Sequence, residues 1–95
     1  MAIKTLPFDA AEYLDTAESQ AELLADAFES GDPNYITHAL GVVARARGMS
    51  NVAKEAGVTR EALYRALSEK GDPRLSTLIG VLKALGVQLS AKIPA

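Results

Sequence analysis

Four side chains in the middle of the chain have the types and the spacing of a surface that reads DNA bases. They are Arg60, Glu61, Tyr64 and Arg65, and helical geometry places them on one face, called here the polar stripe. Arginine can donate two hydrogen bonds to guanine, glutamate can accept from the amino group of cytosine, and tyrosine can contact a phosphate or a thymine methyl group. The stripe therefore predicts a helix whose outer face enters the major groove. The alternative for Glu61 and Arg65 is a solvated ion pair.

Two short helices must position this stripe. Helical spacing predicts them over 51–56 and 60–68, separated only by Gly57, Val58 and Thr59. Three residues are too few for the helices to lie antiparallel, so they must cross steeply, as in a helix-turn-helix. Gly57 permits a positive φ in the turn, and Thr59 caps the second helix. The residues expected between the two helices or against the core are Val52, Ala53, Ala56, Val58, Ala62, Leu63, Ala66 and Leu67.

Four more helices are predicted from apolar spacing and from the residues that begin and end helices. They cover 9–14, 16–30 and 33–47 before the pair, and a segment after it that starts with Asp72 and Pro73 and ends at Gly86. This last helix is the most hydrophobic, so we expect it to be the central core helix. The residues expected to face the core are Ala17, Ala21, Leu23, Leu24, Ala27, Phe28, Ile36, Leu40, Val43, Leu75, Leu78, Ile79, Leu82 and Leu85.

The C-terminal residues follow a different pattern. Apolar and polar residues alternate over 87–93, which predicts one strand that Pro94 ends and that needs a partner. The predicted fold is therefore all-α, with five or six helices and a short C-terminal strand. We expect one domain over 1–95, with an N-terminal helical extension over 1–32, a helix-turn-helix core over 33–86 and the strand over 87–93.

Composition excludes several classes of function. The chain has 95 residues, no cysteine and one histidine, His38, so it has no thiolate metal site and no basis for a histidine-based zinc site. Helical spacing directs His38 to solvent, and pairs such as Glu18 and Glu22 are typical of solvated helix faces. The seven glycines occur singly, which gives no phosphate-binding loop. We therefore expect no catalytic residue, metal or cofactor.

Charge is divided along the chain. Residues 1–44 contain one base and eight acids (1 − 8 = −7), whereas residues 45–95 contain nine bases and four acids (9 − 4 = +5). This asymmetry suggests that the basic part meets a polyanion and the acidic part meets solvent or a basic partner. A chain of this size buries a limited core, so we also expect a homodimer or a complex. With neither a signal peptide nor a membrane segment in the sequence, we expect it to be cytoplasmic.

Nearly the whole chain resembles the addiction-module antidote proteins, antitoxins with a Cro/repressor-type helix-turn-helix. The matching residues are 6–14, 44–50, 52–53, 56–67, 71–73, 77–78 and 81–86. The resemblance implies a Cro/phage-repressor-like domain that neutralises a small RelE/ParE-like toxin and represses its own operon at a palindromic operator. It matches the polar stripe to base reading. It matches the following residues, called here the flanking set, to backbone contacts: Ser50, Asn51, Lys54, Thr59, Lys70 and Arg74. Ordinary solvated charges are the alternative for Lys70 and Arg74.

Other functions and toxin contacts remain open. A stand-alone repressor of phage type would use the same helices without a toxin, and a pure protein-binding module would not need the outward basic residues that this chain keeps. For the toxin contact, we expect the acidic helices, with Leu23, Leu24 and Phe28 as apolar anchors. The alternatives are that these three residues belong to the core and that the predicted strand docks on the edge of the toxin's sheet.

Overall fold

The chain is all-helical over the part that the computed structural model describes, residues 16–94. Five helices occur there: α1 (Ala17–Ser30), α2 (Pro33–Arg47), α3 (Met49–Ala56), α4 (Arg60–Ala66) and α5 (Leu75–Ala84). The predicted all-α class is confirmed, and these five helices agree with the predicted ones. The helix predicted over 9–14 lies outside the described residues.

The helix ends are set by the capping residues that the sequence predicts. The Thr16 hydroxyl accepts a hydrogen bond from the Ser19 N–H (3.1 Å) at the start of α1, and the Asp32 carboxylate accepts one from the Asn34 N–H (3.0 Å) at the start of α2. Gly31 ends α1 in the left-handed region, at φ 69°. The start of α5 differs, because Asp72 and Pro73 precede the helix and Arg74 is its N-cap.

The central core helix is α2, not α5 as predicted. Every residue over 39–44 is buried. In α5, by contrast, Leu75 is 66% exposed and Ile79 is 36% exposed, while Val81, Leu82 and the adjoining Leu85 are buried. The reason is the way α5 meets α3. A Cβ at Gly80 would lie 3.0 Å from the carbonyl oxygen of Ala56, so the two backbones approach each other at this glycine and part of the apolar face of α5 stays outside.

Helix α1 packs on the same core, but it buries one polar residue in place of the two alanines that were expected to face the core. Leu24 and Ala27 are buried as predicted, and Leu23 and Phe28 pack against the core while partly exposed. The predicted core positions Ala17 and Ala21 are exposed, and Gln20 is buried instead. Gln20 is buried because its side-chain oxygen accepts a hydrogen bond from Arg47 Nε (2.7 Å). The guanidinium of the same arginine also donates to the carbonyl of Leu85 (3.1 Å), which joins α1, α2 and the end of α5.

The strand predicted over 87–93 is absent, since no residue of the described range 16–94 is in a strand. The Val87 N–H donates to the carbonyl of Leu82 (2.8 Å), which turns the chain back at the end of α5. A strand exists through hydrogen bonds to a neighbouring strand, and no described segment supplies one. None of the described helices is long and apolar enough to cross a membrane.

Candidate nucleic-acid interface

Helices α3 and α4 form a rigid pair that presents one face to solvent. Three residues join them, and Gly57 ends α3 with φ 78°, while the Val58 N–H donates to the carbonyl of Ala53 (3.0 Å). The Thr59 hydroxyl accepts from the Ala62 N–H (3.0 Å) and so caps α4. The turn and the start of α4 are therefore fixed by backbone geometry and by one side chain.

The inner side of the pair agrees with the predicted wedge. Leu63 is fully buried and Leu67 is 5% exposed, so both anchor α4 to the core. From α3, Val52 and Ala53 are buried, and Ala56 and Val58 are half-buried against the same cluster. Ala62 and Ala66 are half-buried, at the border between the core and the surface. This anchoring leaves the opposite side of α4 free.

All four residues of the polar stripe are exposed on that opposite side. The Arg60 guanidinium lies over the Tyr64 ring, 5.0 Å from its centroid, and Arg60 Nη2 donates to the Tyr64 hydroxyl (3.4 Å). A cation over an aromatic face is attracted by the ring, so each side chain limits the freedom of the other. The stripe therefore has a partly ordered centre.

The ion pair considered for Glu61 and Arg65 is not formed within the described residues. Neither side chain has a hydrogen bond or ion pair to any other residue of 16–94, and Arg60 makes no ion pair there either. Within residues 16–94 no carboxylate therefore forms an ion pair with either arginine of the stripe. Such groups are available to an external acceptor such as a phosphate or a guanine edge.

The flanking set is exposed as well. Ser50, Asn51 and Lys54 lie on α3, Thr59 lies at the turn, and Lys70 and Arg74 follow α4. The segment with the last two residues is held close to α4 through Gly71. Its N–H donates to the carbonyl of Ser68 (2.8 Å), and a Cβ at this position would overlap the carbonyl of Ala66. The sequence shows this close approach only as a single glycine.

The acidic helix α1 presents a second, separate charged surface. Glu18, Glu22, Asp26 and Glu29 are exposed on it, and α1 contains no base. Asp26 accepts a hydrogen bond from the Tyr35 hydroxyl of α2 (2.6 Å), and this bond raises the pKa of that phenol above its ordinary value.

Of the three apolar anchors proposed on α1, one is inside the protein. Leu24 is 2% exposed and belongs to the core, as the alternative interpretation has it. Leu23 and Phe28 are partly buried and retain some accessible surface.

Sites for other chemistry are not evident in the described residues. His38 is exposed, as helical spacing predicts, and no group of three or more metal-ligating side chains occurs over 16–94. A groove of about 350 Å³ lies beside α5, and its lining is mainly apolar. It contains one charged residue, Lys83, and no carboxylate, histidine or hydroxyl.

Two comparisons with known proteins give matches. A family model described as "Probable addiction module antidote protein" matches residues 4–93. An uncharacterized protein of Haemophilus influenzae (strain ATCC 51907 / DSM 11121 / KW20 / Rd) is 41% identical over 85 residues, which cover 90% of this chain and 88% of that protein. None of the solved structures compared matches this chain.

Proposed function

The chain belongs to the family of addiction-module antidote proteins, and we propose that it is an antitoxin that neutralises a partner toxin and represses its own operon by binding operator DNA. Membership in an antidote family supports the toxin partner and favours the antitoxin over a stand-alone repressor. The sequence resemblance described above favours a small toxin of the RelE/ParE-like class.

One observation carries the DNA-binding part of the proposal. Helix α4 is anchored by the fully buried Leu63 and presents on the opposite face two exposed arginines that form no ion pair within residues 16–94. In our proposal α3 and α4 act as a Cro-type helix-turn-helix. Arg60 and Arg65 donate to guanine, Glu61 accepts from cytosine, and Tyr64 contacts a phosphate or a thymine methyl group. The flanking set binds the phosphate backbone on both sides and so fixes the register of the stripe.

The positions of the charged side chains support DNA binding more than the net charge of this region does. Over residues 54–74 there are five basic and four acidic residues, a net charge of +1 (5 − 4). A diffuse basic patch is therefore not the reason for the proposal. The support comes from the separation of the two sides of α4. Its inner side buries apolar residues, and its outer side exposes arginines.

Toxin binding is proposed for the outer face of α1. A toxin that cleaves RNA must present basic surface to a polyanion, and α1 offers four exposed carboxylates with no base among them. Opposite charges would speed the encounter, and the accessible parts of Leu23 and Phe28 would add apolar contact. Docking of residues 87–93 on the toxin's sheet edge is the competing contact.

Co-expression with the product of the adjacent gene tests the antitoxin role. We expect the two proteins to copurify and growth arrest by the toxin to be relieved. A double variant Glu22→Gln/Glu29→Gln should weaken the complex, because it removes two carboxylates from α1. The matched control Glu55→Gln/Glu69→Gln makes the same charge change among exposed residues of α3 and the segment after α4, and should leave the complex intact. Absence of both copurification and growth relief would refute the role.

A further inference from the structure

Exposed apolar side chains are concentrated at α5 and the C-terminal residues. Five large apolar residues of the described chain are exposed, and apart from Tyr64 of the polar stripe they are Leu75, Ile79, Leu89 and Ile93. Ile79 and Leu89 also line the groove of about 350 Å³, together with Leu82 and Val87. Ile79 and Leu89 thus share one exposed apolar surface, and exposed apolar surface of this kind typically marks an interaction site.

The backbone of the C-terminal segment, defined here as residues 87–93, is also open. Within the described part of the chain no hydrogen bond engages the backbone of residues 88–93. The segment alternates apolar and polar residues, so its apolar side chains would share one face in an extended conformation. A strand with unpaired N–H and C=O groups is a template for pairing with another strand.

The segment is complementary to itself when two copies run antiparallel about a twofold axis at Ser90. Val87 then lies opposite Ile93 of the second copy, and Leu89 lies opposite Ala91, so apolar residues meet apolar residues and larger ones meet smaller ones. On the other face Gln88 meets Lys92. The two lysines therefore never face each other, and Pro94, which has no N–H, lies just beyond the last pair.

We propose that two copies of this chain dimerise by pairing these segments as an antiparallel ribbon centred on Ser90. A two-stranded ribbon alone is marginal in water and needs cover on its apolar face. Helix α5 of each copy supplies that cover, because the groove is lined on one side by α5 and on the other by Val87 and Leu89, and it would receive Ile93 of the second copy, which is 93% exposed in a single chain. The interface is isologous, as a closed twofold dimer requires.

This pairing deepens the proposed function and rests on it in one respect, that reading a palindromic operator requires two copies. A second copy fits the segment because both faces of the ribbon are matched by the segment's own sequence, and pairing with a toxin strand is the alternative outcome of the experiments below. The C-terminal segment of one copy would also be occupied in the dimer, which leaves α1 for the toxin.

Single cysteines test the pairing, because the chain has none of its own. In the proposed register the two copies of a Ser90→Cys variant bring their Cα atoms to about 4.5 to 5.5 Å, within the range of a disulfide. Mild oxidation should therefore convert most of this variant into a covalent dimer. Gln88→Cys is the matched control, since its two copies lie four residues apart along the ribbon, about 14 Å, and should not cross-link.

Mixing two single-cysteine variants tests the register of the two paired segments. Gln88→Cys and Lys92→Cys should each remain uncross-linked alone and should form a heterodimeric disulfide when mixed, because these two positions lie opposite each other. Sedimentation equilibrium provides a readout without cysteines: Ile93→Asp should shift the dimer towards monomer by at least tenfold in Kd, whereas Lys92→Asp, at an exposed position of the outer face, should shift it less.

The outcomes separate this pairing from the proposed function. A parent protein that is monomeric at 100 μM, a dimer whose Ser90→Cys variant does not cross-link, or equal cross-linking of Ser90→Cys and Gln88→Cys would each overturn the ribbon. The ribbon would also be overturned if residues 87–93 formed a strand only after the toxin is added. If the cross-links form as expected and the protein protects no operator DNA, the pairing stands and the DNA-binding function fails.

Discussion

Helices α1 and α4 pack on the same core and both present charged faces to solvent. They differ in whether their polar side chains contact the same helix or a neighbouring one. In α4 the contact that orders the polar stripe lies within the helix, between Arg60 and Tyr64, and no hydrogen bond, ion pair or ring contact joins the stripe to another of the five described helices. In α1 the polar contacts cross to α2, through Tyr35 to Asp26 and through Arg47 to Gln20. The outer face of α4 is left open, as our proposed DNA contact requires, whereas α1 is bound into the fold.

The difference changes how the acidic region should be regarded. We expected an N-terminal extension over 1–32, but its described part contributes Leu24 and Ala27 to the common core and is tied to the end of α5 through Arg47. Removal of residues 1–32 would expose that core. Neutralising single carboxylates of α1 is therefore a cleaner test of toxin binding than truncation.

The largest effect should come from the residue that anchors α4. Leu63→Ala removes a fully buried side chain and should destabilise the protein by about 2 to 5 kcal/mol. Leu78→Ala, in the half-buried position on α5, should cost less. Thermal melts of the two variants make the comparison, and equal losses would show that α4 is not the better anchored helix.

The next effect concerns DNA affinity with the fold unchanged. Arg60→Ala or Arg65→Ala should each reduce operator affinity by about 1 to 3 kcal/mol and relax specificity. Lys54→Ala should weaken binding to all sequences alike, since we assign it to phosphate. Titrations against operator and scrambled DNA distinguish the two patterns, and a uniform loss for all three variants would remove the base-reading role of the stripe.

A smaller effect is expected where α1 joins α2 and α5. Arg47→Met removes two hydrogen bonds from a charged group and should lower the free energy of unfolding by about 1.5 kcal/mol. Arg45→Met, on an exposed arginine in the same last turn of α2, is the control and should change it little. Denaturant titration gives both values. If the two variants are equally stable, the contact of Arg47 does not hold α1.

The smallest effect is a pH dependence of the α1–α2 contact. The hydrogen bond to Asp26 raises the folded-state pKa of Tyr35 above its ordinary value of about 10, so this contact contributes stability below that pH and loses it as pH rises through the folded pKa. An absorbance titration should show a tyrosine ionisation step above the ordinary value of about 10, and Tyr35→Phe should remove that late step. A late step that persists would assign it to another tyrosine.

Local signals predicted the helices well, because the groups that begin and end them are neighbours in the sequence. Thr16, Asp32 and Gly57 act at the helix ends where the sequence places them. The exposure of the polar stripe was predictable for the same reason, since Leu63 and Leu67 define the opposite face of one short helix.

The errors arose where the outcome depends on distant residues. The burial of Gln20 depends on Arg47, 27 positions away, and the exposed part of α5 depends on the approach of Gly80 to Ala56. The predicted strand needs a neighbour that the described chain does not contain. In each case the outcome depended on a partner that the local sequence pattern does not show.

Footprinting of the DNA upstream of the gene at low salt tests the central claim, that the open face of α4 binds operator DNA. We predict protection of two half-sites about 34 to 36 Å apart, weakening with salt by a slope of about 0.9 for each phosphate contacted, and loss of protection in Arg60→Ala/Arg65→Ala. No protection by the folded parent protein at low salt, or unchanged protection by that double variant, would contradict the claim.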